Sequence, residues 1–287
     1  MARTAYVNGR YVPLALAMVH IEDRGYQFAD GVYEVVAIHR GVLLDEIGHL
    51  DRLDRSLAEL QIAAPMGRGA LRVVMRETIR RNRIDDGILY LQVTRGVAKR
   101  EHGFPHPAVK PALVMTVRSI KPTSHAQLED GVGVITIPDI RWKRPDIKSI
   151  SLLPNILGKE QAHQAGAFEA WMVDDNGYIT EGTSTNAWIV TPAGSLVTRD
   201  AGRAILNGIT RVALLRLAAA AGLKFEERAF TVAEAKAARE AFLSSSTSWA
   251  LPITSIDGAP VGNGHPGLLT MQLRESYRRR VAEEGTA

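Results

Sequence analysis

The feature that most constrains how this chain can fold is an irregular alternation of strand-like and helix-like runs along its 287 residues. Short apolar runs bounded by turn residues, such as 88-ILYLQVTRG-96 and 112-ALVMTVR-118, predict strands. Apolar residues at helical spacing over residues 46–61 predict a helix, and the alanine-rich run 209–221, stopped by Gly222, predicts another. Because neither kind of element dominates, the alternation predicts a fold of the α/β or α+β class.

Turn signals and a polar break predict how these elements are grouped. Three dipeptides predict turns between short strands: Asn8-Gly9, Arg40-Gly41 and Asp257-Gly258. Further strands are predicted at 133–140, 168–174 and 241–245, and further helices at 69–83, 155–166, 232–240 and 266–283. The polar, proline-containing stretch 119-SIKPTS-124 predicts a boundary between two domains, residues 1–119 and residues 120–287.

The amino-acid composition excludes several classes of protein. The chain has no cysteine, so a disulfide framework, a thiolate nucleophile and a cysteine-ligated zinc site are impossible, and no metal site is expected. No apolar run approaches the length that spans a bilayer, and the N-terminal residues lack the apolar core of a signal peptide. A soluble, cytoplasmic protein that does not bind membranes is therefore expected.

The basic balance of the chain raises a nucleic-acid-binding protein as a distant alternative. The formal net charge is +4 and the sequence pI is about 9.4, with basic clusters at 80-RRNR-83 and 278-RRR-280. Both clusters lie in predicted helices that have apolar residues on the other face, and neither has interleaved aromatic residues to stack on bases. Two solvated helix faces are therefore the preferred interpretation, and no nucleic-acid partner is expected.

Two polar clusters lie near predicted strands of the first half. The stretch 23-DRGYQFADGVYE-34 is either a loop leading into a core strand or a loop that brings a tyrosine to the mouth of a pocket. In 94-TRGVAKREHGFP-105, Arg100 and His102 flank Glu101, so in an extended loop they point to the same side. A guanidinium beside an imidazole suits a carboxylate ligand, and an exposed basic loop is the alternative.

Three further clusters lie in the second half. The hydroxyl-rich stretches 180-TEGTSTNAW-188 and 244-SSSTSW-249 are either surface turns or places where hydroxyls and backbone amides meet a ligand. In 206-LNGITRVALL-215, Gly208 directly precedes a predicted helix, so the N–H groups of Ile209 and Thr210 would point at one spot. Such a helix start suits a phosphate, although the glycine pattern of the common nucleotide-binding motifs is missing.

Three lysines lie close together around the stretch 145-PDIKSISLLPNILGKEQA-162. Composition does not distinguish Lys143, Lys148 and Lys159. Lys148 follows a strand-like run and an Asp-Ile pair, whereas Lys159 lies in a predicted helix beside Glu160, where a solvated lysine is ordinary. Local features therefore favour Lys148 only weakly as a reactive residue.

Taken in order, several motifs resemble those of the fold-type IV pyridoxal-phosphate-dependent enzymes. The resemblance is closest to the D-amino-acid transaminase group and more distant to branched-chain aminotransferases and aminodeoxychorismate lyase. It covers almost the whole chain and rests on EDRGYQFADGVYEVV, HLDRL, QVTRG followed by KREHGFP, DIRWKRPDIKSISLL, EGTSTN, LNGITR and SSSTS. It implies a smaller N-terminal α/β domain, a larger barrel-like α/β domain carrying the reactive lysine, pyridoxal 5'-phosphate bound between them, and a homodimer.

The same resemblance implies roles for individual residues. Lys148 would form the Schiff base with the cofactor and then transfer protons, Glu181 would hold the pyridine nitrogen protonated, and Tyr33 would lie near Lys148. Leu206 would press on one face of the cofactor ring. The remaining cofactor-binding groups would bind the phosphate: Arg52, Gly208, Ile209, Thr210, and Ser246 or Thr247.

For the substrate, the resemblance implies that Arg100 and His102 bind the α-carboxylate. The hydroxyl residues of the predicted pocket wall are Thr183, Ser184 and Thr185. Glu101, between the two basic residues, and Trp249, after the second hydroxyl run, depart from the family pattern, and Trp249 is expected to affect side-chain specificity. The implied reaction is ping-pong transfer of an amino group from a D-amino acid such as D-alanine to a 2-oxo acid such as 2-oxoglutarate. An L-branched-chain aminotransferase, with or without mixed D and L activity, is the alternative.

Overall fold

The structure, a computed structural model, describes residues 3–284 and separates into two compact units. The first unit runs to Lys121 and also takes in Ile147–Ser151, while the second comprises Pro122–Asp146 and Leu152–Glu283. The mixture of helices and strands in both units confirms the predicted α/β class. The chain first passes from one unit to the other after Lys121, close to the predicted boundary at residue 119. The segment 147–151, which was predicted within the second domain, belongs to the first unit.

Backbone pairing explains why Ile147–Ser151 belongs to the first unit. The N–H of Tyr33 donates to the carbonyl of Lys148 at 3.0 Å, and the N–H of Ile150 donates to the carbonyl of Gly31 at 3.1 Å. Ser149 forms an isolated antiparallel bridge with Val32. Backbone hydrogen bonds to residues 31–33 therefore hold Lys148, the candidate reactive lysine, against a strand of the first unit. No local pattern in the sequence reveals this pairing.

The first unit contains one antiparallel sheet and two long helices. Its elements are β1 (Thr4–Val7), β2 (Arg10–Pro13), a 3-10 turn (Leu14–Leu16), α1 (Arg24–Phe28), β3 (Gly31–His39), β4 (Val42–Leu43), α2 (Glu46–Glu59), α3 (Arg68–Asn82), β5 (Gly87–Thr94) and β6 (Ala112–Arg118). The strand order is β2-β1-β6-β5-β3-β4. The core lies between this sheet and the apolar faces of the helices, where α2 buries Leu50, Leu53 and Leu57. Ile47, at the start of the same predicted apolar stripe, is instead 68% exposed.

The second unit contains a larger, mixed sheet. Its elements are α4 (His125–Glu129), β7 (Val132–Pro138), α5 (Leu153–Gln164), β8 (Glu169–Val173), β9 (Ile179–Gly182), β10 (Asn186–Val190), β11 (Leu196–Thr198), α6 (Ile209–Ala220), β12 (Phe225–Glu227), α7 (Val232–Lys236), β13 (Glu240–Ser245), β14 (Trp249–Ile256), β15 (Ala259–Pro260) and α8 (Leu268–Glu284). The strand order is β12-β11-β10-β13-β14-β7-β8-β9, with β15 paired to β14. The β14–β7, β7–β8 and β11–β12 pairs are parallel.

This second sheet curls back on itself, as the predicted barrel-like domain requires. β9 lies at one end of the strand order and β10 lies near the other, yet a turn of three residues joins them. Within that turn the N–H of Gly182 donates to the carbonyl of Thr185 at 2.7 Å. The hydroxyl-rich stretch 180–188 therefore consists of the end of one strand, a turn and the start of the next strand. All of its residues except Ser184 are buried, so the interpretation as a surface turn is wrong.

One predicted helix is shorter than expected. α7 begins at its Thr231 N-cap, which accepts from the N–H of Glu234, but it ends at Lys236 instead of residue 240. The Glu234 carboxylate pairs with Arg228 at 2.6 Å. Glu240 begins β13, and its carboxylate accepts from the backbone N–H of Thr270 in α8 at 2.9 Å, so the last predicted residue of the helix is used elsewhere.

Both basic clusters lie on helices, as the preferred interpretation expects. Arg80 and Arg81 on α3 both pair with Glu77, at 2.6 and 2.7 Å. On α8, Arg278 pairs with Glu275 at 2.7 Å. Neighbouring carboxylates therefore offset part of this positive charge locally. None of the helices described between residues 3 and 284 combines the length and apolar character needed to cross a membrane.

Candidate active site

The three lysines differ in their surroundings. The Lys148 ammonium lies 4.2 Å from the centroid of the Tyr33 ring, and its backbone N–H donates to Ser56 Oγ at 3.3 Å. No carboxylate pairs with this ammonium among residues 3–284. By contrast, the Lys159 ammonium donates to the carbonyl of Phe168 and lies 3.8 Å from a Glu169 oxygen, while Lys143 is exposed. Lys148 is thus the lysine with a fixed backbone and an amine without a carboxylate partner.

Tyr33 lies beside Lys148 on β3, in a small aromatic group. Its ring is half-buried and its centroid lies 5.8 Å from that of Tyr90 on β5. Burial, aided by Tyr33, raises the pKa of Tyr90 to about 12, and the Tyr90 hydroxyl donates to Gln92 Oε1 at 2.6 Å. Sequence motifs did not single out Tyr90, because only the pairing of β3 with β5 brings it next to Tyr33.

Arg52, a predicted phosphate ligand on α2, is held by a buried carboxylate of β3. Its Nε donates to Glu34 Oε1 at 2.8 Å and its Nη2 donates to Glu34 Oε2 at 2.7 Å. His49 Nδ1 lies 2.7 Å from the same Oε2, and since a carboxylate only accepts, this nitrogen carries the proton. The three side chains form a buried cluster that sequence motifs did not predict beyond Arg52.

Charge and burial compete within this Glu34–His49–Arg52 cluster. Burial acts to raise the pKa of Glu34, but the charge and hydrogen bonds of Arg52 and His49 outweigh it, so the pKa falls to about 2. Burial lowers the pKa of His49 despite the opposing effect of Glu34. Glu34 is therefore an anion at neutral pH that fixes the direction of the Arg52 guanidinium.

Arg100 and His102 meet on one aromatic ring, as their predicted alternation requires. The Arg100 guanidinium carbon lies 5.1 Å from the centroid of Phe28, and the His102 ring lies 5.6 Å from it, edge to face. The Glu101 carboxylate between them lies 3.5 Å from the Lys99 ammonium and is exposed. The two basic side chains therefore share a side of the loop, and the acid has a different partner.

In the second unit, Glu181 is anchored from three directions. Its Oε1 accepts from Arg141 Nη1 at 2.5 Å and from the backbone N–H of Leu206 at 3.1 Å, and its Oε2 accepts from Asn186 Nδ2 at 3.1 Å. Arg141 also donates to Asp139, with its shortest contact at 2.7 Å. Sequence motifs contained Asp139, Arg141 and Asn186 but did not assign them, since their roles depend on contacts between strands.

The buried Asp139–Arg141 pair shows how strongly these charges interact. Burial acts to raise the pKa of Asp139, but hydrogen bonds and charge from Arg141 outweigh it and lower the pKa. Burial acts to lower the pKa of Arg141, but hydrogen bonds and charge from Asp139 and Glu181 outweigh it and raise the pKa. Arg141 therefore stays cationic and holds the Glu181 carboxylate in one orientation.

The start of α6 has the features of an anion site. Gly208 is the N-cap and supplies no side-chain cap, so the first N–H groups of the helix, including those of Ile209 and Thr210, have no intrahelical partner. A Cβ at Gly208 would lie 2.1 Å from Asn186 Oδ1. Asn186 Nδ2 also donates to the carbonyl of Leu206 at 2.9 Å, so this one asparagine supports the turn before α6 and Glu181 together.

The turn between β13 and β14 carries the other predicted phosphate ligands. Ser244 pairs with Asn186 in the β10–β13 ladder, so the turn follows directly from a residue opposite Asn186. Ser246 is half-buried and Thr247 is exposed, with the Thr247 hydroxyl 3.3 Å from Ser245 Oγ. The ladder therefore brings this turn and the Asn186-supported turn to the same part of the sheet.

The predicted pocket-wall residues make other contacts. The hydroxyls of Thr183, Ser184 and Thr185 all donate to the fully buried carboxylate of Glu169, the second at 3.0 Å and the third at 3.4 Å. Trp249, the other predicted pocket residue, adopts a left-handed φ of 57° and packs its ring 5.6 Å from Tyr277 of α8. These contacts hold the three hydroxyls against Glu169 within the second unit.

Comparison with known proteins identifies the family. The sequence matches the class IV amino-transferase family over residues 31–256. The chain therefore belongs to this family, and the predicted family and fold type are confirmed.

Two curated relatives are similar over nearly the whole chain. A protein of Bacillus licheniformis described as D-alanine aminotransferase is 41% identical over 277 residues, covering 96% of each chain. A D-alanine aminotransferase of Listeria innocua is 39% identical over 276 residues, covering 96% of this chain and 95% of the relative.

Solved structures share the fold at lower identity. A branched-chain amino acid aminotransferase of Escherichia coli has a TM-score of 0.89 at 22% identity, covering 96% of this chain and 94% of that one. A 4-amino-4-deoxychorismate lyase of Pseudomonas aeruginosa has a TM-score of 0.79 at 26% identity, covering 96% and 98% of the two chains. The first likeness, at this identity, concerns the fold alone.

Proposed function

We propose that this chain is a pyridoxal-phosphate-dependent aminotransferase that transfers the amino group of a D-amino acid, such as D-alanine, to a 2-oxo acid, such as 2-oxoglutarate. The observation that carries the substrate choice is the loop on which Arg100 and His102 meet against Phe28, in a chain 41% identical to a D-alanine aminotransferase. A guanidinium and an imidazole on one side of a loop suit the α-carboxylate that every amino-acid substrate carries.

The residues present fit pyridoxal phosphate. A phosphate dianion needs backbone donors that no side chain already occupies, and the N-terminus of α6 after Gly208 has no side-chain cap. Asn186 Oδ1 lies where any Cβ at Gly208 would clash, so the turn keeps its backbone open to a ligand. Ile209 and Thr210 would bind the phosphate together with Ser246 or Thr247 and Arg52. Leu206 would contact the ring.

When bound, pyridoxal phosphate supplies an electron sink for negative charge at the substrate α-carbon. Lys148 Nζ would hold the cofactor at its aldehyde carbon, and the same amine would be the group that carries a proton to and from the substrate α-carbon. A positioned general base of this kind contributes about 10²- to 10⁴-fold in rate. The centroid of the Tyr33 ring lies 4.2 Å from the ammonium, so Tyr33 would limit the positions that the Lys148 side chain can take.

Glu181 would accept a hydrogen bond from the protonated pyridine nitrogen. Its carboxylate is a suitable partner because Arg141, Leu206 and Asn186 fix its orientation before any ligand binds. Such preorganised groups need no rearrangement during the reaction. Replacing Arg141 would therefore affect catalysis although its guanidinium acts only through Glu181.

The decisive measurement is amino-group transfer by the purified protein. With D-alanine and 2-oxoglutarate, pyruvate should accumulate and D-glutamate should form; turnover of L-branched-chain amino acids alone would favour the alternative function. The Arg100→Ala variant should show a large rise in KM for D-alanine, whereas Lys99→Ala, an exposed neighbour, should not. An unchanged KM in Arg100→Ala would remove the carboxylate-binding role.

The lysine assignment has its own test. Borohydride reduction of the cofactor-loaded protein, followed by peptide mass analysis, should find the cofactor on the peptide that contains Lys148. Lys148→Ala should abolish the label, and Lys159→Ala should retain it. Label on a different lysine of the wild-type protein would overturn the assignment.

A homodimer and a cytoplasmic location complete the proposal. The segment between β2 and α1 exposes several large apolar side chains: Leu16 at 63%, Met18 at 76%, Val19 at 51% and Ile21 at 72%. Neighbouring exposed apolar residues of this kind favour a protein partner, and a second copy is the partner expected of this family. Light scattering should give twice the 31.3 kDa chain mass; a monomer at micromolar concentration would contradict this.

A further inference from the structure

A buried arginine outside the proposed mechanism contacts the backbone of the loop that carries Arg100 and His102. The Arg24 side chain is only 4% exposed. Its Nη1 donates to the carbonyl of Glu101 at 2.6 Å, and its Nη2 approaches the carbonyl of His102 at 3.5 Å. Arg24 therefore contacts the loop at the two peptide groups that follow Glu101 and His102.

The position of the Arg24 guanidinium is set by the body of the first unit. Its Nε donates to Asp30 Oδ2 at 2.8 Å, and the same carboxylate accepts from Arg95 at 2.8 and 3.0 Å. Arg95 in turn donates to the carbonyls of Leu60 and Gln61 at 2.8 and 2.9 Å, at the end of α2. Asp30 thus connects the loop-binding arginine to the end of a core helix.

The electrostatics of this cluster favour a rigid arrangement. Burial acts to raise the pKa of Asp30, but hydrogen bonds and charge from Arg95 and Arg24 outweigh it and lower the pKa. Two buried guanidinium groups that share one carboxylate need further acceptors for their remaining N–H groups. For Arg24, the loop carbonyls of Glu101 and His102 supply them.

The loop itself has little other support. Between Lys99 and Pro107, no backbone–backbone hydrogen bond is formed within the described part of the chain, and most of these residues are exposed. The Phe28 ring contacts both Arg24, at 4.9 Å, and Arg100, at 5.1 Å. The Arg95 guanidinium also lies 3.7 Å from the centroid of the Phe104 ring, further along the loop. Arg24 and Phe28 are the two residues that contact the part of the loop bearing Arg100 and His102.

We propose that Arg24 is a positioning residue that sets the affinity for the substrate α-carboxylate by fixing the loop carrying Arg100 and His102. This inference rests on the proposed function, in which those two residues bind the carboxylate. Arg24 itself does not reach the substrate, because its guanidinium is buried and its donors are directed at Asp30 and the loop carbonyls. A shift of the loop by a fraction of an ångström would weaken binding without changing the groups that react.

The test is a double-mutant cycle on the cofactor-loaded enzyme with D-alanine as substrate. Arg24→Met should raise KM about tenfold or more while kcat changes by less than about twofold. In an Arg100→Ala background the same Arg24→Met change should alter kcat/KM by a smaller factor than in the wild-type background, because only His102 is then left for Arg24 to position. Equal effects in both backgrounds would overturn the inference.

The control is Arg228→Met, which also removes an arginine that binds a carboxylate and a backbone carbonyl, here Glu234 and Ala229, far from this loop in sequence. Its effect on kcat/KM should be small and the same in both backgrounds. If Arg24→Met does not fold, Arg24→Lys replaces it in the cycle, since lysine keeps the charge beside Asp30 but loses the forked geometry.

The outcomes separate the two proposals. If Arg100→Ala leaves KM unchanged, the carboxylate role in the proposed function fails. If Arg100→Ala raises KM but the Arg24 variant does not, or acts additively with it, only the positioning role of Arg24 fails.

Discussion

Replacing Glu34 by glutamine should strongly destabilise the first unit at neutral pH and much less in acid. The folded state lowers the pKa of Glu34 from 4.5 to about 2. Since one pKa unit corresponds to about 1.4 kcal/mol, the ionised carboxylate stabilises the folded state by about 3 kcal/mol. The loss of one partner from a buried ion pair costs a similar amount, about 3–5 kcal/mol, because Arg52 would keep its charge without its carboxylate.

The pH dependence follows from the direction of this shift. A group with a lowered folded pKa contributes its full stabilisation above its unfolded pKa, here 4.5, and loses it as the pH falls towards about 2. The difference in unfolding free energy between wild type and Glu34→Gln should therefore be constant near neutrality and shrink below about pH 5.

Urea unfolding of cofactor-free protein at about pH 7 and about pH 3 measures this difference, since bound cofactor would add its own binding free energy. Circular dichroism and hydrogen exchange of β3 amides are the suitable signals. All 4 tryptophans lie in the second unit, at 142, 171, 188 and 249, so their fluorescence reports on the wrong part of the chain.

Glu77→Gln is a matched control. The pKa of Glu77 is also lowered to about 2, by hydrogen bonds to Arg80 and Arg81, but this cluster lies on the solvent side of α3. Solvent screening makes such exposed pairs weak contributors to stability. Equal destabilisation by Glu34→Gln and Glu77→Gln, or a Glu34→Gln effect that persists unchanged at about pH 3, would refute the reasoning.

Two further substitutions test the second unit. Gly208→Ala should weaken cofactor binding, because the new Cβ would lie 2.1 Å from Asn186 Oδ1, and spectrophotometric titration measures this. The control Gly67→Ala should not weaken it, because this N-cap of α3 has open space around it. Thr183→Val should leave KM for D-alanine unchanged but lower the unfolding free energy by about 1–3 kcal/mol, because buried Glu169 loses a donor; a raised KM with unchanged stability would contradict this.

Elements with strong local signals could be predicted from the sequence. The Asn8-Gly9 turn joins β1 to β2, and the apolar periodicity of 46–61 gives α2, because turn chemistry and helical spacing act over a few residues. The assignment of Lys148 depended on the order of several motifs, and the structure adds a physical distinction between it and Lys159.

What the sequence did not reveal depends on contacts between distant residues. Asn186 and Arg141 orient Glu181 only because β9, β10 and the 139–141 segment come together in the folded sheet. Nothing local in the sequence indicates that the Thr183 hydroxyl donates to the buried Glu169 carboxylate. The membership of 147–151 in the first unit likewise depends on hydrogen bonds to β3.

That short segment has a consequence for the order in which the protein can fold during synthesis. The Tyr33 amide of β3 cannot find its acceptor until Lys148 has left the ribosome, long after the other strands of the first sheet are complete. The sheet of the first unit could therefore form with part of the β3 edge unpaired, and the segment with Lys148 would add to that edge last. The same step would then complete the backbone pairing of β3 and bring the Lys148 amine next to Tyr33.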